Sequence, residues 1–305
     1  MESIEETQNN VADLWQYVER MKPQIEDALE KFLPLAPPEI ETEFNRALEY
    51  ALFPGGKRLR PVLTLLGAEL IGGKPETVLP AAIAVEYIHT SSLIFDDLPS
   101  MDNASERRGK KSLHVHFGEG LSLLVGIAFL NASYGLVFVN HAGMPERAVA
   151  AHSEIVECVG AGGMVGGQSL DLALAKGQRA AGDDEARNYA DESVRNLKTS
   201  ALMRLALRVG AILAGADYLE LNTLSRFAEL LGDAYQLSDD LLDLEEDGAL
   251  FNQKTFAMSG DADSSQRHLR ILIEEAKRVL VENFPPSEAR SCLVQLTDYL
   301  AERKA

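Results

Sequence analysis

The chain has 305 residues, of which 46% are hydrophobic and 25% charged, and its formal net charge is −18. This composition can build a large core, and the negative charge argues against nucleic acid as a partner, because phosphate backbones bind basic surfaces. No proline-, glycine- or serine-rich linker and no internal repeat divides the chain, so we expect a single domain over residues 1–305.

The sequence carries no sign of export or of a membrane span. Its acidic N-terminus lacks the basic and apolar regions of a signal peptide, and every long apolar segment has charged or polar breaks. Cys158 and Cys292 have neither metal-ligand nor redox spacing, so we expect them to be buried thiols in a reducing compartment. These features predict a cytoplasmic protein.

Apolar residues recur at intervals of three and four through most of the chain, and no segment shows the two-residue alternation of a strand. The fold class is therefore predicted to be all-α. The expected helices span residues 11–32, 39–53, 61–71, 77–97, 121–140, 146–175, 185–213, 217–244, 264–283 and 286–303. The helix over 121–140 is so apolar that we expect it to be buried in a helical bundle.

A basic, glycine-rich loop precedes the third helix. Gly55 and Gly56 allow a tight turn, and Lys57, Arg58 and Arg60 follow within four positions. Basic residues at a loop that leads into a helix indicate an anion site, to which the helix N-terminus adds partial positive charge. A solvated basic turn is the alternative.

The next helix ends in a cluster of carboxylates, Asp96, Asp97 and Asp102, with Pro99 between the last two. Because proline disfavours a regular helix, we expect the helix to end near Asp97 and the chain to bend, which brings Asp102 back towards Asp96. His89 lies about two turns before Asp96, where it is either a core histidine or a phosphate contact.

Cationic residues follow the first carboxylate cluster, and a second cluster lies far along the chain. Arg107 and Arg108 carry forked donors that suit phosphate oxygens. The second cluster consists of Asp239, Asp240 and Asp243; Asp239 and Asp243 share one helix face, and Gln236 lies one turn before them. Hard oxygen ligands of this kind suit Mg²⁺ shared with a phosphorylated substrate, so the two clusters predict a diphosphate held through metal ions.

Glycines at positions 162, 163, 166 and 167 lie within the helix predicted over 146–175, where they leave room for another helix or for a substrate chain. Gln168 and Asp171, three residues apart, are expected to face the same cavity. Plain helix packing is the alternative interpretation. The pair Lys198 and Thr199 lies in the following helix, and Lys254 ends a short acidic loop after the second aspartate cluster.

Taken in order, these motifs resemble those of the trans-isoprenyl diphosphate synthase (polyprenyl synthetase) family, and the chain is most similar to its bacterial geranylgeranyl and farnesyl diphosphate synthases. The resemblance extends from about Leu14 to the C-terminus. It implies a bundle of helices around a deep central cavity, a homodimer, and two substrates, isopentenyl diphosphate and an allylic diphosphate. It also implies Mg²⁺, with three ions when the allylic diphosphate is bound.

The resemblance assigns a role to each motif residue. The metal ligands would be Asp96, Asp102 and Asp239, supported by Asp97, Asp171, Asp240 and Asp243. Contacts to the allylic diphosphate would come from Arg107, Lys198 and Lys254, and contacts to isopentenyl diphosphate from Lys57, Arg60, His89 and Arg108. Thr199 and Gln236, with Lys198, would stabilise the reacting end.

Product length in this family depends on the floor of the cavity. Ser91 lies five residues before Asp96, where a large aromatic residue tends to stop growth at C15; the small serine favours a C20 product. Tyr87 would form a floor one turn deeper. The alternatives are a C15 or longer-chain synthase, a non-catalytic regulatory subunit of a heteromeric synthase, and a terpene cyclase or head-to-head condensing enzyme. The intact aspartate and basic motifs argue against the last two.

Overall fold

The computed structural model describes residues 13–175, 200–246 and 262–302. Within these ranges the chain is helical apart from one short hairpin, in agreement with the predicted all-α class. The elements, in chain order, are α1 (Leu14–Lys31), α2 (Phe44–Leu52), α3 (Leu59–Leu70), α4 (Pro75–Asp96), β1 (Glu106–Arg107), β2 (Lys110–Lys111), α5 (Leu113–Phe117), α6 (Glu119–Leu136), α7 (Pro145–Val159), α8 (Met164–Ala175), α9 (Ala201–Ala214), α10 (Tyr218–Glu246), α11 (Ala262–Asn283) and α12 (Glu288–Glu302).

Helix α4 lies at the centre of the bundle. It packs against α1, α3, α6 and α9, and its residues from Ala81 to Ile88 are buried on every side. A helix that is apolar all round can be stable only when other helices surround it, which explains this position. The C-terminal end of α4 carries His89, Ser91 and Asp96, so the core holds the predicted site residues in place.

Two glycines allow helices α3 and α9 to cross at very short range. A Cβ atom on Gly67 would lie 2.3 Å from the carbonyl oxygen of Leu207, and one on Gly210 would lie 1.9 Å from that of Thr64. Neither distance is compatible with a side chain. The absence of Cβ at both positions therefore sets the distance between the helices that flank α4.

The basic segment after the first aspartate cluster forms a hairpin rather than an irregular loop. Strands β1 and β2 are antiparallel, with Arg107 opposite Lys110. Arg108 and Gly109 form the turn and have φ angles of 52° and 73°. Two positive φ angles in a two-residue connection are typical of a type I′ turn, which places Arg108 at the tip of the hairpin.

The prediction of a single helix over 146–175 is wrong, because the helix is interrupted between α7 and α8. A Cβ atom on Gly163 would lie 2.0 Å from the carbonyl oxygen of Cys158, and one on Gly166 would lie 2.0 Å from that of Ala161. These glycines are therefore needed for a tight turn of the chain upon itself. Sequence periodicity cannot distinguish such a turn from a continuous glycine-containing helix. Helix α2 also begins later than predicted, at Phe44 rather than at residue 39.

The expectation that the apolar helix over 121–140 is buried holds for only one of its faces. The observed helix, α6, packs on α4 through Val125 and Phe129, whereas Leu123, Leu124 and Ile127 are 42%, 57% and 55% exposed. By length and composition alone, α4 and α6 are each apolar enough to cross a membrane, but the apolar window of α4 is 78% buried, as expected for a core helix, and that of α6 is 33% buried. Both cysteines are buried, as predicted.

Candidate active site

The chain bends after α4 as the position of Pro99 predicts. Helix α4 ends at Asp96, and the backbone N–H of Asp102 donates to the carbonyl oxygen of Asp96 at 2.9 Å. The N–H of Asn103, which has a φ angle of 50°, donates to the carbonyl oxygen of Leu98 and closes the turn. The turn thus brings the backbone of Asp102 back to that of Asp96 at the end of the central helix, as predicted.

The second carboxylate of the cluster is already occupied by an arginine. The side chain of Asp97 is buried and accepts three hydrogen bonds from Arg107, two from Nε at 2.8 and 2.9 Å and one from Nη2 at 2.6 Å. This hydrogen-bonded pair, with the neighbouring charges of Asp96 and Asp102, raises the pKa of Arg107. Asp97 therefore orients Arg107 beside the carboxylate pair, which agrees with a supporting role for Asp97.

The glycine-rich loop is built around Arg58, whose side chain is directed into the core. Arg58 is only 3% exposed and has a φ angle of 54°. Its guanidinium donates to Glu26 of α1 at 2.8 and 3.1 Å, to Glu86 of α4 at 2.7 Å, and to the carbonyl oxygen of Leu52 at 2.9 Å. Gly55 leaves the space for this guanidinium, since a Cβ atom there would lie 2.0 Å from Cζ of Arg58.

Arginine side chains from both basic segments lie near His89. Nη1 of Arg60 donates to Nε2 of His89 at 3.2 Å, and because a guanidinium can only donate, that ring nitrogen is the acceptor. Burial, followed by the charges of Arg60, Arg108, Arg107 and Arg58, holds the pKa of His89 well below 6.5. The imidazole is therefore neutral and lies near several guanidinium groups, of which Arg58 and Arg107 are already paired with carboxylates.

The tip of the hairpin lies against the glycine-rich loop. A Cβ atom on Gly56 would be 3.5 Å from Nη2 of Arg108, which is ordinary contact distance. Lys110 links the hairpin to the segment before the glycine-rich loop, because its ammonium donates to the carbonyl oxygens of Tyr50 and, at 2.8 Å, of Phe53. Two basic segments that are 50 residues apart in sequence thus form one cationic surface.

Lys57 lies at the exposed edge of this surface and contacts the last helix. Its ammonium donates to the hydroxyl of Tyr299 at 2.6 Å and lies 4.8 Å from the centre of that ring. It also lies 5.2 Å from the ring centre of Trp15. Two aromatic side chains from opposite ends of the chain therefore hold this lysine.

Helix α10 carries the second aspartate cluster. The side chain of Tyr235, four residues before Asp239, lies near Arg60, so this turn of α10 faces the cationic surface. Gln236 and Asp239 follow on the same helix, and both are half-buried and engaged in polar interactions. The side chains of Asp240 and Asp243, and residues Lys198, Thr199 and Lys254, lie outside the described part of the chain.

A cavity of about 480 Å³ extends from these charged groups into the bundle. Arg60, His89 and Asp96 lie at its charged end. The remaining walls are mainly apolar and come from α4, α6, α7, α8 and α9; they include Ile88, Phe95, Leu130, Val159, Met164, Leu172 and Leu202. This is the deep, amphipathic cavity that the resemblance predicts.

The two predicted chain-length residues differ in their relation to this cavity. Ser91 lines it, and its hydroxyl donates to the carbonyl oxygen of Ile88 at 2.8 Å, so the serine presents little polar character to the interior. Tyr87 is completely buried and lies in the core beside the cavity. Its hydroxyl donates to the carbonyl oxygen of Leu29, and its ring lies 4.9 Å from that of Phe129. Tyr87 is therefore not among the residues that line the cavity, although it was predicted to form its floor.

Gln168 and Asp171 were predicted to face the same cavity, but only Gln168 lines it. Gln168 lines the cavity and contacts the sulfur of Met101, with 3.9 Å between Nε2 and Sδ. Asp171, one turn further along α8, is half-buried and is not among the residues that line the cavity.

The carboxylates present fit Mg²⁺ that is shared with a substrate. Within the described residues, no three acidic, histidine or cysteine side chains lie close enough to form a complete metal site. Mg²⁺ usually takes one or two protein carboxylates and completes its shell with water and phosphate oxygens. The adjacent Asp96 and Asp102 provide this kind of partial donor set.

Sequence reasoning missed several residues that shape the site. Glu86 is a buried carboxylate within an apolar helix, and such a residue signals a buried cationic partner, although the sequence does not identify Arg58 as that partner. Nothing in the sequence indicates that Tyr299 and Phe95 belong to the site, because each is an ordinary aromatic residue at a helical position.

Comparisons with known proteins agree with this arrangement. Residues 41–262 match the family profile described as polyprenyl synthetase. A geranylgeranyl diphosphate synthase of Cyanophora paradoxa is 36% identical over 280 residues, which cover 88% of this chain and 90% of that protein. A dimethylallyltranstransferase of Fischerella ambigua is 35% identical over 94% of this chain and 83% of that protein.

Solved structures share the fold. The apo structure of an FPP/GFPP synthase from Zymomonas mobilis superposes with a TM-score of 0.83 at 28% identity, and the match covers 96% of this chain and 100% of that one. A geranyltransferase from Legionella pneumophila gives a TM-score of 0.80 at 29% identity, with 94% and 96% of the two chains covered.

Proposed function

Because the chain belongs to the polyprenyl synthetase family, we propose that it is a trans-prenyltransferase that condenses an allylic diphosphate with isopentenyl diphosphate and releases mainly the C20 product, geranylgeranyl diphosphate. The observation that carries this proposal is the cavity with Arg60, His89 and Asp96 at one end and apolar walls beyond. Such a cavity suits a substrate with an anionic head and a hydrocarbon tail. The names of the relatives support both the reaction and the product.

The allylic diphosphate would lie against the two aspartate clusters. Asp96, Asp102 and Asp239 would hold Mg²⁺, three ions with the diphosphate bound, and this metal would neutralise the charge that develops on the leaving diphosphate. Arg107, held in place by Asp97, adds a fixed positive charge beside the same carboxylates. A preorganised charge of this kind stabilises the leaving group without any rearrangement at the moment of bond breaking.

Isopentenyl diphosphate would bind to the cationic surface formed by Arg60, Arg108 and the neutral His89, with Lys57 at its edge. The buried Nε of Arg60 has no partner among the described residues, which supports an anion as the missing acceptor. Burial lowers the pKa of Arg60 and of Arg108, and the negative charge of Glu86, which also pairs with Arg58, opposes that shift. In this arrangement the two substrates would bind side by side, and the proximity of their reacting carbons would contribute much of the rate.

The apolar walls protect the reactive intermediate. The carbon left by the departing diphosphate is a carbocation, which water would quench. Ile88, Leu130 and Leu202 line the part of the cavity that receives the hydrocarbon, so the cation is attacked by the double bond of the second substrate instead. The departing diphosphate can accept the proton that is lost, so the reaction requires no strong protein base.

The test is a product-length assay with purified protein, Mg²⁺, isopentenyl diphosphate and C5, C10 or C15 allylic primers. We expect a C20 product after dephosphorylation. A C15 or much longer product would refute the proposed length but not the reaction. Turnover of an allylic primer without isopentenyl diphosphate would indicate a cyclase, and no product with any primer would refute the proposed activity.

Substitution of the carboxylates tests the metal ligands. Asp96→Ala or Asp239→Ala should lower kcat by a factor of roughly 10²–10³ or more, the usual effect of removing one group that stabilises developing charge. Glu119→Gln, an exposed acid on α6, is the control and should retain activity. Near-normal turnover of either aspartate variant would disprove the two-cluster arrangement.

Arg108→Ala separates the two diphosphate sites. Since Arg108 lies beside Gly56 and the Arg60–His89 pair, its loss should raise the KM for isopentenyl diphosphate and leave the KM for the allylic substrate nearly unchanged. A defect confined to the allylic substrate would reverse the roles of Arg107 and Arg108.

We also propose that the protein is a homodimer that buries the exposed face of α6. Leu124 and Ile127 on this helix, and Val149 and Val156 on the adjacent α7, are each about half exposed. Contiguous apolar surface of this kind marks a protein interface. Leu124→Glu should convert a dimer to a monomer in light scattering, whereas Leu219→Glu, at an even more exposed apolar position on α10, should not. A wild-type monomer would refute the dimer.

A further inference from the structure

On the face of α6 that packs against α4, the absence of a side chain at Gly126 leaves a space that the ring of Phe95 fills. A Cβ atom built there would lie 2.6 Å from Cε1 of Phe95, 2.7 Å from Cζ and 3.3 Å from Cδ1. One edge of the Phe95 ring thus occupies the space that any side chain at position 126 would need. Gly126 is buried, and the gap exists only because this residue is glycine.

Phe95 is also part of the cavity wall. It lines the cavity together with Ser91, one turn earlier on α4, and with Leu130, one turn after Gly126 on α6. Side chains on a helix lean towards its N-terminus, so the Phe95 ring extends from the carboxylates towards the level of Ser91. A hydrocarbon chain that extends from Asp96 into the cavity would therefore run along a wall to which this ring contributes.

From these contacts we infer that Phe95 and Gly126 act as one specificity-determining pair, in which the glycine holds the aromatic ring out of the path of the growing chain. The inference rests on the proposed prenyltransferase function and adds to it a second control of product length, distinct from Ser91. It concerns the width of the passage, whereas the Ser91 position concerns what blocks the passage further in.

The size of the expected displacement follows from the geometry. Carbon atoms in good contact lie about 3.5–4.0 Å apart, so a methyl group on residue 126 must push the ring edge away by about 1 Å. Helix α6 blocks movement on one side, and α4 fixes the Cβ atom of Phe95. The ring therefore rotates into the cavity that it lines and narrows the route to Ser91.

Gly126→Ala is the first variant to measure. It should lower the ratio of C20 to C15 product about tenfold, which corresponds to about 1.4 kcal/mol, within the usual cost of adding a methyl group to a packed wall. The KM for isopentenyl diphosphate should not change, because neither residue carries a charge or a hydrogen-bond donor that could contact the diphosphate. Phe95→Leu should have the opposite effect and increase the fraction of products longer than in the wild type.

Gly135→Ala is the matched control. Gly135 lies on the same helix, and a Cβ atom there would meet nothing within 4 Å. Both glycine variants gain the same helix propensity, so a difference between them reports the contact with Phe95. The double variant Gly126→Ala/Phe95→Leu should return the product ratio towards the wild-type value, because the smaller leucine leaves room for the methyl group.

The outcomes are distinguishable. If Gly126→Ala gives the same product ratio as Gly135→Ala, the pair does not control length and the inference is overturned. If Gly126→Ala fails to fold, the product distribution of Phe95→Leu tests the inference instead. An unchanged distribution in that variant overturns the inference. If the wild type forms no product with any primer, the proposed function fails, and the inference that rests on it is overturned as well.

Discussion

Replacement of Glu86 by alanine tests the buried ion pair that organises the glycine-rich loop. The side chains of Arg58 and Glu86 are 1% and 4% exposed and lie 2.7 Å apart. Removal of one member of a buried pair leaves the other charge without compensation and typically costs 3–5 kcal/mol. Because Glu26 still accepts two hydrogen bonds from Arg58, we expect the lower end of that range, about 3 kcal/mol.

The assay is unfolding in urea, supported by thermal unfolding. A loss of about 3 kcal/mol should lower the melting temperature by roughly 6–12 °C, given the usual 2–4 °C per kcal/mol for a chain of this size class. Arg58 also fixes the loop that carries Lys57 and Arg60, so the KM for isopentenyl diphosphate should rise while the KM for the allylic substrate stays nearly constant.

Glu288→Gln is the control for this experiment. It breaks the ion pair with Arg20, in which both side chains are about half exposed, and such pairs contribute at most about 1 kcal/mol. If Glu86→Ala is no more destabilising than Glu288→Gln, the guanidinium of Arg58 is not buried against Glu86 in solution. In that case the explanation of the loop given above is wrong.

Three further predictions concern packing, pH and the lysine at the edge of the site. Gly210→Ala should destabilise the protein by roughly 3 kcal/mol, because its methyl group would overlap the carbonyl oxygen of Thr64. Folding lowers the pKa of His89, so the unfolded chain binds a proton first and the free energy of unfolding falls as the pH drops below about 6.5. In His89→Gln this contribution is absent, so the variant should lose about 1 kcal/mol less stability than the wild type between about pH 7 and pH 5.5. Tyr299→Phe should raise the KM for isopentenyl diphosphate about fivefold without changing kcat, because Lys57 loses its hydroxyl partner.

Each of these predictions has its own control. Gly135→Ala should be neutral or stabilising by up to about 1 kcal/mol, so equal effects at positions 210 and 135 would contradict the close helix crossing. His268→Gln, at an exposed position on α11, should leave the pH dependence of stability in place, and an unchanged dependence in His89→Gln would show that His89 is not responsible for it. An unchanged KM in Tyr299→Phe would mean that Tyr299 does not position Lys57.

The sequence by itself determined the helical class, the chemistry of the site and part of its local geometry. Pro99 cannot continue a helix, and this local restriction is sufficient to predict that Asp102 returns to Asp96. The identity of the hard oxygen donors and of the forked cationic donors is likewise carried by the residue types. Properties that depend on a few neighbouring residues can be derived without the fold.

The tertiary structure alone decided which of the charged and aromatic residues act on a substrate and which hold the protein together. Arg58 and Arg60 are two positions apart, yet Arg58 is buried between two carboxylates and Arg60 lines the cavity. Gly126 resembles any other helical glycine until the ring of Phe95 is placed against it. Burial, charge compensation and steric space arise from segments far apart in the chain, so they are fixed only when those segments pack.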